Sequence, residues 1–169
     1  MIQIDEDKYY KDLVTPFHKI HTFDNGNSIF LGSQSSVGGF PDKWNYSSKD
    51  FENVKNILID NNIKAIVCCA ELYDLFPNNF KYLHIPMESN DNFDITDSCL
   101  KGWDFINQNI NNGSVLVHCN AGCHRSATVV IGYLAKTLNM NVMSSFNYVH
   151  KNRHCVNIDN FIQKLNKII

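Results

Sequence analysis

Apolar positions in this chain fall into two rhythms. Short runs at 28–31, 63–69, 81–85 and 114–118 read as strands, with 63–69 a buried one and 114–118 the central one. Between them the spacing changes to the three-and-four step of a helix. Phe51, Val54, Ile57 and Leu58 make one apolar stripe, on a helix that starts near Ser47 with Asp50 three residues on. Leu100, Trp103, Ile106 and Ile110 make another, started by Thr96 or Asp97 and ended by Gly113. Helices are also predicted over 125–138 and 142–151, and a last one carries Ile158, Phe161, Ile162, Leu165 and Ile168. Gly38-Gly39-Phe40-Pro41 opens a loop through Ser47. Strands separated by helices imply an α/β fold, a single domain with a central, mostly parallel twisted sheet and helices on both faces.

Length and charge narrow the picture. A chain of 169 residues suits one packed core and is short for two. Residues 1–27 are expected to be an N-terminal segment packing on a domain of 28–169. A net charge of −2 with no basic cluster argues against nucleic acid as a partner. No apolar run approaches the length of a membrane span, and the acidic start, Asp5-Glu6-Asp7, is unlike a signal peptide. Six cysteines without such a signal read as free thiols in a reducing compartment, so a cytoplasmic location, with the nucleus also open, is expected.

The chemistry concentrates where the central strand meets the next helix. There the chain reads Val115-Leu116-Val117-His118-Cys119-Asn120-Ala121-Gly122-Cys123-His124-Arg125-Ser126. Backbone N–H groups from Asn120 to Arg125 can curl around an anion, and the following helix presents its N-terminus to the same place. Arg125 can grip two oxygens with its planar fork. Cys119 would then lie beneath a bound phosphorus, held as a thiolate by the positive surroundings. A strand cysteine used only for packing would not need Gly122, and an arginine in a helix's first turn opposes the macrodipole unless an anion is present.

His118-Cys119, Gly122 and Arg125-Ser126 fit the H-C-x5-R-[ST] signature of protein tyrosine phosphatases, and Ala121-Gly122-x-x-Arg125-Ser126-Ala127-Thr128 resembles the small dual-specificity branch. Ile29 to Ser33, Tyr82 to Pro86 and Arg153 to Phe161 resemble that branch's first strand, its strand before the acid loop and its closing segment. The resemblance implies a cysteine-dependent phosphatase acting on phosphotyrosine and phosphoserine or phosphothreonine in proteins, through a thiophosphate on Cys119. It implies no cofactor and no metal, with a phosphorylated protein as partner and neither nucleic acid nor membrane. Phosphate would be held by residues 120–125: Asn120, Ala121, Gly122, Cys123, His124 and Arg125. Ser126 would help the thiolate leave, or serve as an ordinary first-turn residue, and His118 would support the loop, or be a core histidine.

Two positions depart from the family. The leaving-group acid is usually an aspartate in the loop after the Ile-Pro strand, and aligned through Ile85-Pro86 that position is Ser89. Asp91 or Glu88 can stand in, or no acid exists and turnover is reduced. His124 replaces a small polar residue, and either adds charge at the loop rim or faces solvent. Cys69, in Cys68-Cys69-Ala70-Glu71, resembles the resolving cysteine of phosphoinositide-phosphatase relatives, with Cys123 nearer in sequence as the alternative. Lipid-directed members tend to carry lysines in the loop and RNA 5′-directed ones Thr-Gly after the arginine. This chain has neither. The competing reading, of another class, is a module that binds phosphoproteins without efficient turnover. Oligomeric state is not addressed by any of these features.

Overall fold

The computed structural model describes residues 5–39, 48–71 and 76–169. The expected loop through Ser47, beyond its first residues, and the expected cap at Ser47 lie outside the described residues. Five strands form one sheet in the order β1-β2-β5-β3-β4. They are β1 (Phe17–Thr22), β2 (Ser28–Gly32), β3 (Ile63–Cys68), β4 (Lys81–His84) and β5 (Ser114–His118). Only β1 is antiparallel.

β5 is central because its Ser-Val-Leu-Val-His sequence tolerates burial at every position. Val115 and Val117 point into the larger core, while Leu116 points to the other face with Phe30 and Ile66. On that other face lies α2 (Ser48–Asp60), through Leu58 and Val54. The larger core is covered by α3 (Thr96–Asn109), α4 (Arg125–Thr137), α5 (Val142–Asn152) and α6 (Asp159–Ile168). The sheet therefore has helices on both faces, and the parallel strands deliver their C-terminal ends to one edge, where ligands bind in such sheets. Among the described residues no helix is long and apolar enough to cross a membrane.

The strands and helices read from the pattern begin at Ser28, yet two elements precede it. Helix α1 (Glu6–Val14) starts at Asp5, whose carboxylate accepts from the Lys8 amide at 3.2 Å. β1 then pairs with β2 at the sheet edge. Its Phe-His-Lys-Ile-His-Thr sequence buries only Ile20, too little to set up an apolar rhythm. The expectation of six free thiols also fails. Cys123 and Cys155 form a disulfide, with Cα atoms 5.4 Å apart across 32 residues of chain. The pairing arises because the segment after α5 returns to the phosphate loop, a proximity that spacing cannot reveal.

Candidate active site

The loop from Cys119 to His124 joins the central strand to α4. Its backbone is held from outside at every carbonyl from 120 to 123. The Gln34 amide donates to the Asn120 carbonyl at 3.0 Å, and the Asn157 amide to that of Cys123 at 2.9 Å. Arg153, fully buried at 0% exposure, reaches the two between: Nε donates to the Gly122 carbonyl at 2.9 Å and Nη2 to that of Ala121 at 3.0 Å. With the carbonyls turned outward, the amides of Asn120, Ala121, Cys123 and His124 donate to no described residue. They are left for an anion. Gly122 is required for this path. Its φ is +70°, and a Cβ there would come within 2.4 Å of the Gly32 carbonyl oxygen.

Cys119 sits at the centre, 1% exposed. Burial by itself pushes its thiol up, but hydrogen bonds from the Ser126 side chain and amide, the Arg125 charge and the Gly122 amide together bring it below its ordinary value. The Ser126 hydroxyl lies 3.1 Å and the Gly122 amide 3.3 Å from the sulfur. His118 behind it is buried and, through that burial first, lowered to about 4, so it is neutral; its Nδ1 lies 3.5 Å from the Cys119 carbonyl. Arg125 opens the 13-residue α4 and donates from Nη1 to the Met87 carbonyl at 3.4 Å, which brings the acid loop against the phosphate loop.

Arg153 is the largest fully buried side chain, and sequence reasoning gave it no role beyond membership of the closing segment. Its Nη1 donates to the Thr15 carbonyl at 3.1 Å and to His18 Nδ1 at 2.8 Å. Burial lowers it to about 10, opposed by the nearby Asp12 and Cys119 charges. Asp12, from α1, is itself buried. It accepts from the backbone amide of His154, and its carboxylate oxygens lie 3.0 Å from His154 Nδ1 and 3.5 Å from His18 Nε2. The unread N-terminal elements thus supply the far side of the loop's anchor. The signal available was weak: one arginine just after a predicted helix, with no partner nearby in sequence.

The remaining predicted residues are distributed as follows. Cys69 and Cys119 are the residues that follow the paired ends of β3 and β5: Val67 lies opposite Val117, Cys68 opposite His118, and the Cys69 amide donates to the His118 carbonyl. Both belong to the same core face. Paired strands run about 4.8 Å apart, inside the reach of a disulfide. Burial holds the Cys69 thiol well above its ordinary value. Cys123, the alternative partner, is already bonded to Cys155. His124 is half-buried: its ring stacks on Phe161 of α6 with centroids 4.7 Å apart, and its Nδ1 is buried without a hydrogen-bond partner among the described residues. Burial first, and then the Arg125 charge, lower its pKa, while the Asp91 charge raises it. Ser89, Glu88 and Asp91 are all exposed in the loop between β4 and α3. Glu88 accepts from Asn90 Nδ2 at 2.5 Å, and neither the Ser89 hydroxyl nor the Asp91 carboxylate has a hydrogen-bond partner among the described residues.

A nucleophile-bearing loop at the end of a central parallel strand, with an arginine opening the next helix, defines the cysteine-based phosphatase class. Residues 44–168 match the dual specificity phosphatase catalytic domain, and the chain belongs to that family. It is 30% identical over 142 residues, 82% of its length, to a probable dual specificity protein phosphatase of Dictyostelium discoideum, of which this covers 60%. It is 35% identical over 82 residues, 48% of its length, to human dual specificity protein phosphatase 1, covering 22% of that protein. The chain therefore spans less than two thirds of the length of these relatives. The crystal structure of the human tyrosine phosphatase-like serine/threonine/tyrosine-interacting protein superposes with a TM-score of 0.68 at 28% identity, covering 82% of this chain and 89% of that one.

Proposed function

We propose that this chain is a protein phosphatase that hydrolyses phosphotyrosine and phosphoserine or phosphothreonine through a thiophosphate on Cys119. The observation that carries the reading is the outward fixing of four consecutive loop carbonyls, beside a Gly122 amide that donates to the Cys119 sulfur and four loop amides with no partner among the described residues. A phosphate seated there has its oxygens on the loop amides and the Arg125 fork, and its phosphorus over a depressed-pKa thiol. Sulfur attacks phosphorus in line and the P–O bond to the protein substrate breaks. Water then attacks the thiophosphate, and the Ser126 hydroxyl, already 3.1 Å from the sulfur, stabilises the departing thiolate.

The leaving oxygen needs a proton, and Asp91 is the group we assign to deliver it. It lies in the acid loop, exposed and with its carboxylate unpartnered among the described residues. Glu88 is held by Asn90, and a serine hydroxyl at Ser89 is a poor acid. Asp91→Asn should lower turnover of an alkyl phosphate about 10²-fold or more while sparing an aryl phosphate, whose phenoxide leaves unaided. If Asp91→Asn is silent and Ser89→Asp raises alkyl-phosphate turnover, the chain works without an acid.

Ser89 favours a second reading, a module that binds phosphoproteins without efficient turnover. Cys119 and Arg125 both speak against it, since capture alone requires no thiolate. Undetectable turnover on every phosphate ester, with tight phosphopeptide binding that survives Cys119→Ser, would establish the module instead.

A further inference from the structure

The acid loop between β4 and α3 has no regular structure, and its carbonyls would ordinarily face water. Two are taken instead by one side chain from the far end of the chain. Lys164 Nζ, on α6, donates to the Asp91 carbonyl at 2.5 Å and to the Phe93 carbonyl at 2.6 Å. The ammonium also lies 5.4 Å from the centroid of the Phe161 ring, one helical step back on the same face. That ring is the one on which His124 of the phosphate loop stacks. α6 thus holds the acid loop with Lys164 and the phosphate loop with Phe161.

We infer that Lys164 is a positioning residue that fixes the acid loop over the phosphate loop and so sets the delivery of Asp91 to the leaving oxygen. The inference rests on the reading of Asp91 as the acid. Further contacts around the loop fit it. Inside the loop, Asn90 Oδ1 accepts from the Asn92 amide at 3.0 Å, and the Phe93 amide donates to the Asn90 carbonyl at 3.2 Å, so residues 90–93 form one compact turn. Phe93 packs against the core below it. The charge of Lys164 also reaches Asp94. That carboxylate is lowered first by its hydrogen bonds with Thr96, at the start of α3, and further by the lysine. The anchor therefore grips the turn on both sides of Asp91's successor and leaves the carboxylate itself unencumbered. A neutral side chain of the same length keeps the packing on Phe161 but has no N–H to give the carbonyls.

The test compares Lys164→Met, Lys164→Arg, Asp91→Asn and the Asp91→Asn/Lys164→Met pair on an alkyl and an aryl phosphate. Hydrogen exchange is followed in the peptide covering 88–95. Lys164→Met should lower alkyl-phosphate kcat between about tenfold and about 10²-fold and leave the aryl phosphate within about twofold. Lys164→Arg, which restores N–H donors, should recover most of the loss. The double variant should be no slower than Asp91→Asn alone, because an anchor has nothing left to position. Exchange in 88–95 should accelerate in Lys164→Met and stay unchanged elsewhere. Equal losses on both substrates, additive losses in the double variant, or unaltered exchange would overturn the inference. A silent Asp91→Asn would instead reject the acid reading, and the anchoring of the loop would then stand or fall on the exchange result alone.

Discussion

The Ser126 hydroxyl donates to the Cys119 sulfur at 3.1 Å, across the joint between the central strand and α4. One hydrogen bond thus serves both halves of the proposed reaction, holding the thiolate before attack and receiving it afterwards. A bond to a charged group contributes about 1.5–3 kcal/mol, equivalent to about one to two pKa units. Ser126→Ala should raise the Cys119 pKa by that amount, visible as a shift in the pH dependence of iodoacetamide alkylation. It should also slow release of phosphate, so that a burst of the first product precedes steady turnover.

Arg153 anchors the phosphate loop whatever the leaving group. Removing it leaves the Ala121 and Gly122 carbonyls without donors and the buried Asp12 facing histidines alone. Arg153→Met should cost about 3–5 kcal/mol of stability by denaturant titration. Turnover of alkyl and aryl phosphates should fall together, unlike the selective loss expected from the acid loop. A variant with normal aryl-phosphate turnover would show that the loop keeps its shape unaided.

Oxidation should join Cys119 to Cys69. Peroxide converts the Cys119 thiolate to a sulfenic acid, and the Cys69 thiol displaces water from it to give the disulfide. The two follow the paired ends of β3 and β5, and Cys123 is already committed to Cys155. Inactivation should be reversed by a dithiol in the native chain and become irreversible in Cys69→Ser. Peptide mapping that finds Cys119 bonded to Cys123 would refute this pairing.

Acid should destabilise the fold through His118. Its pKa is depressed from 6.5 to about 4 on folding, so between those values the unfolded chain binds more protons. Stability therefore rises with pH across that window and is lost as pH falls through it. From pH 7.5 to pH 5 the loss is about 2 kcal/mol from this group. His18, His21 and His124 are lowered in the same sense, each by burial first. Urea titrations at the two pH values should show the difference, and His118→Gln should reduce it.

The central strand, the nucleophile loop and the helix behind it were readable because each is local. An apolar run, a cysteine, a glycine and an arginine at fixed spacing carry their own geometry. What escaped depends on distant chain meeting. β1 buries one residue and so shows no rhythm. Arg153 acts through carbonyls about thirty residues earlier and through Asp12 at the other end of the chain. The Cys123–Cys155 bond and the grip of Lys164 on the acid loop belong to the same category. For His124 the local pattern leaves a place at the loop rim or in solvent open and gives no hint that Phe161 comes to lie beneath the ring.

The bonds from Arg153 to the loop also impose an order on the making of the molecule. The arginine follows Gly122 by 31 residues. At roughly 5–20 residues per second, a ribosome needs about 2–6 s to cover that distance. Throughout that interval Cys119, Arg125 and Ser126 have all been made, while the Ala121 and Gly122 carbonyls still lack the guanidinium that holds them. The loop's chemistry is written in one short stretch of chain, and part of its fastening arrives later.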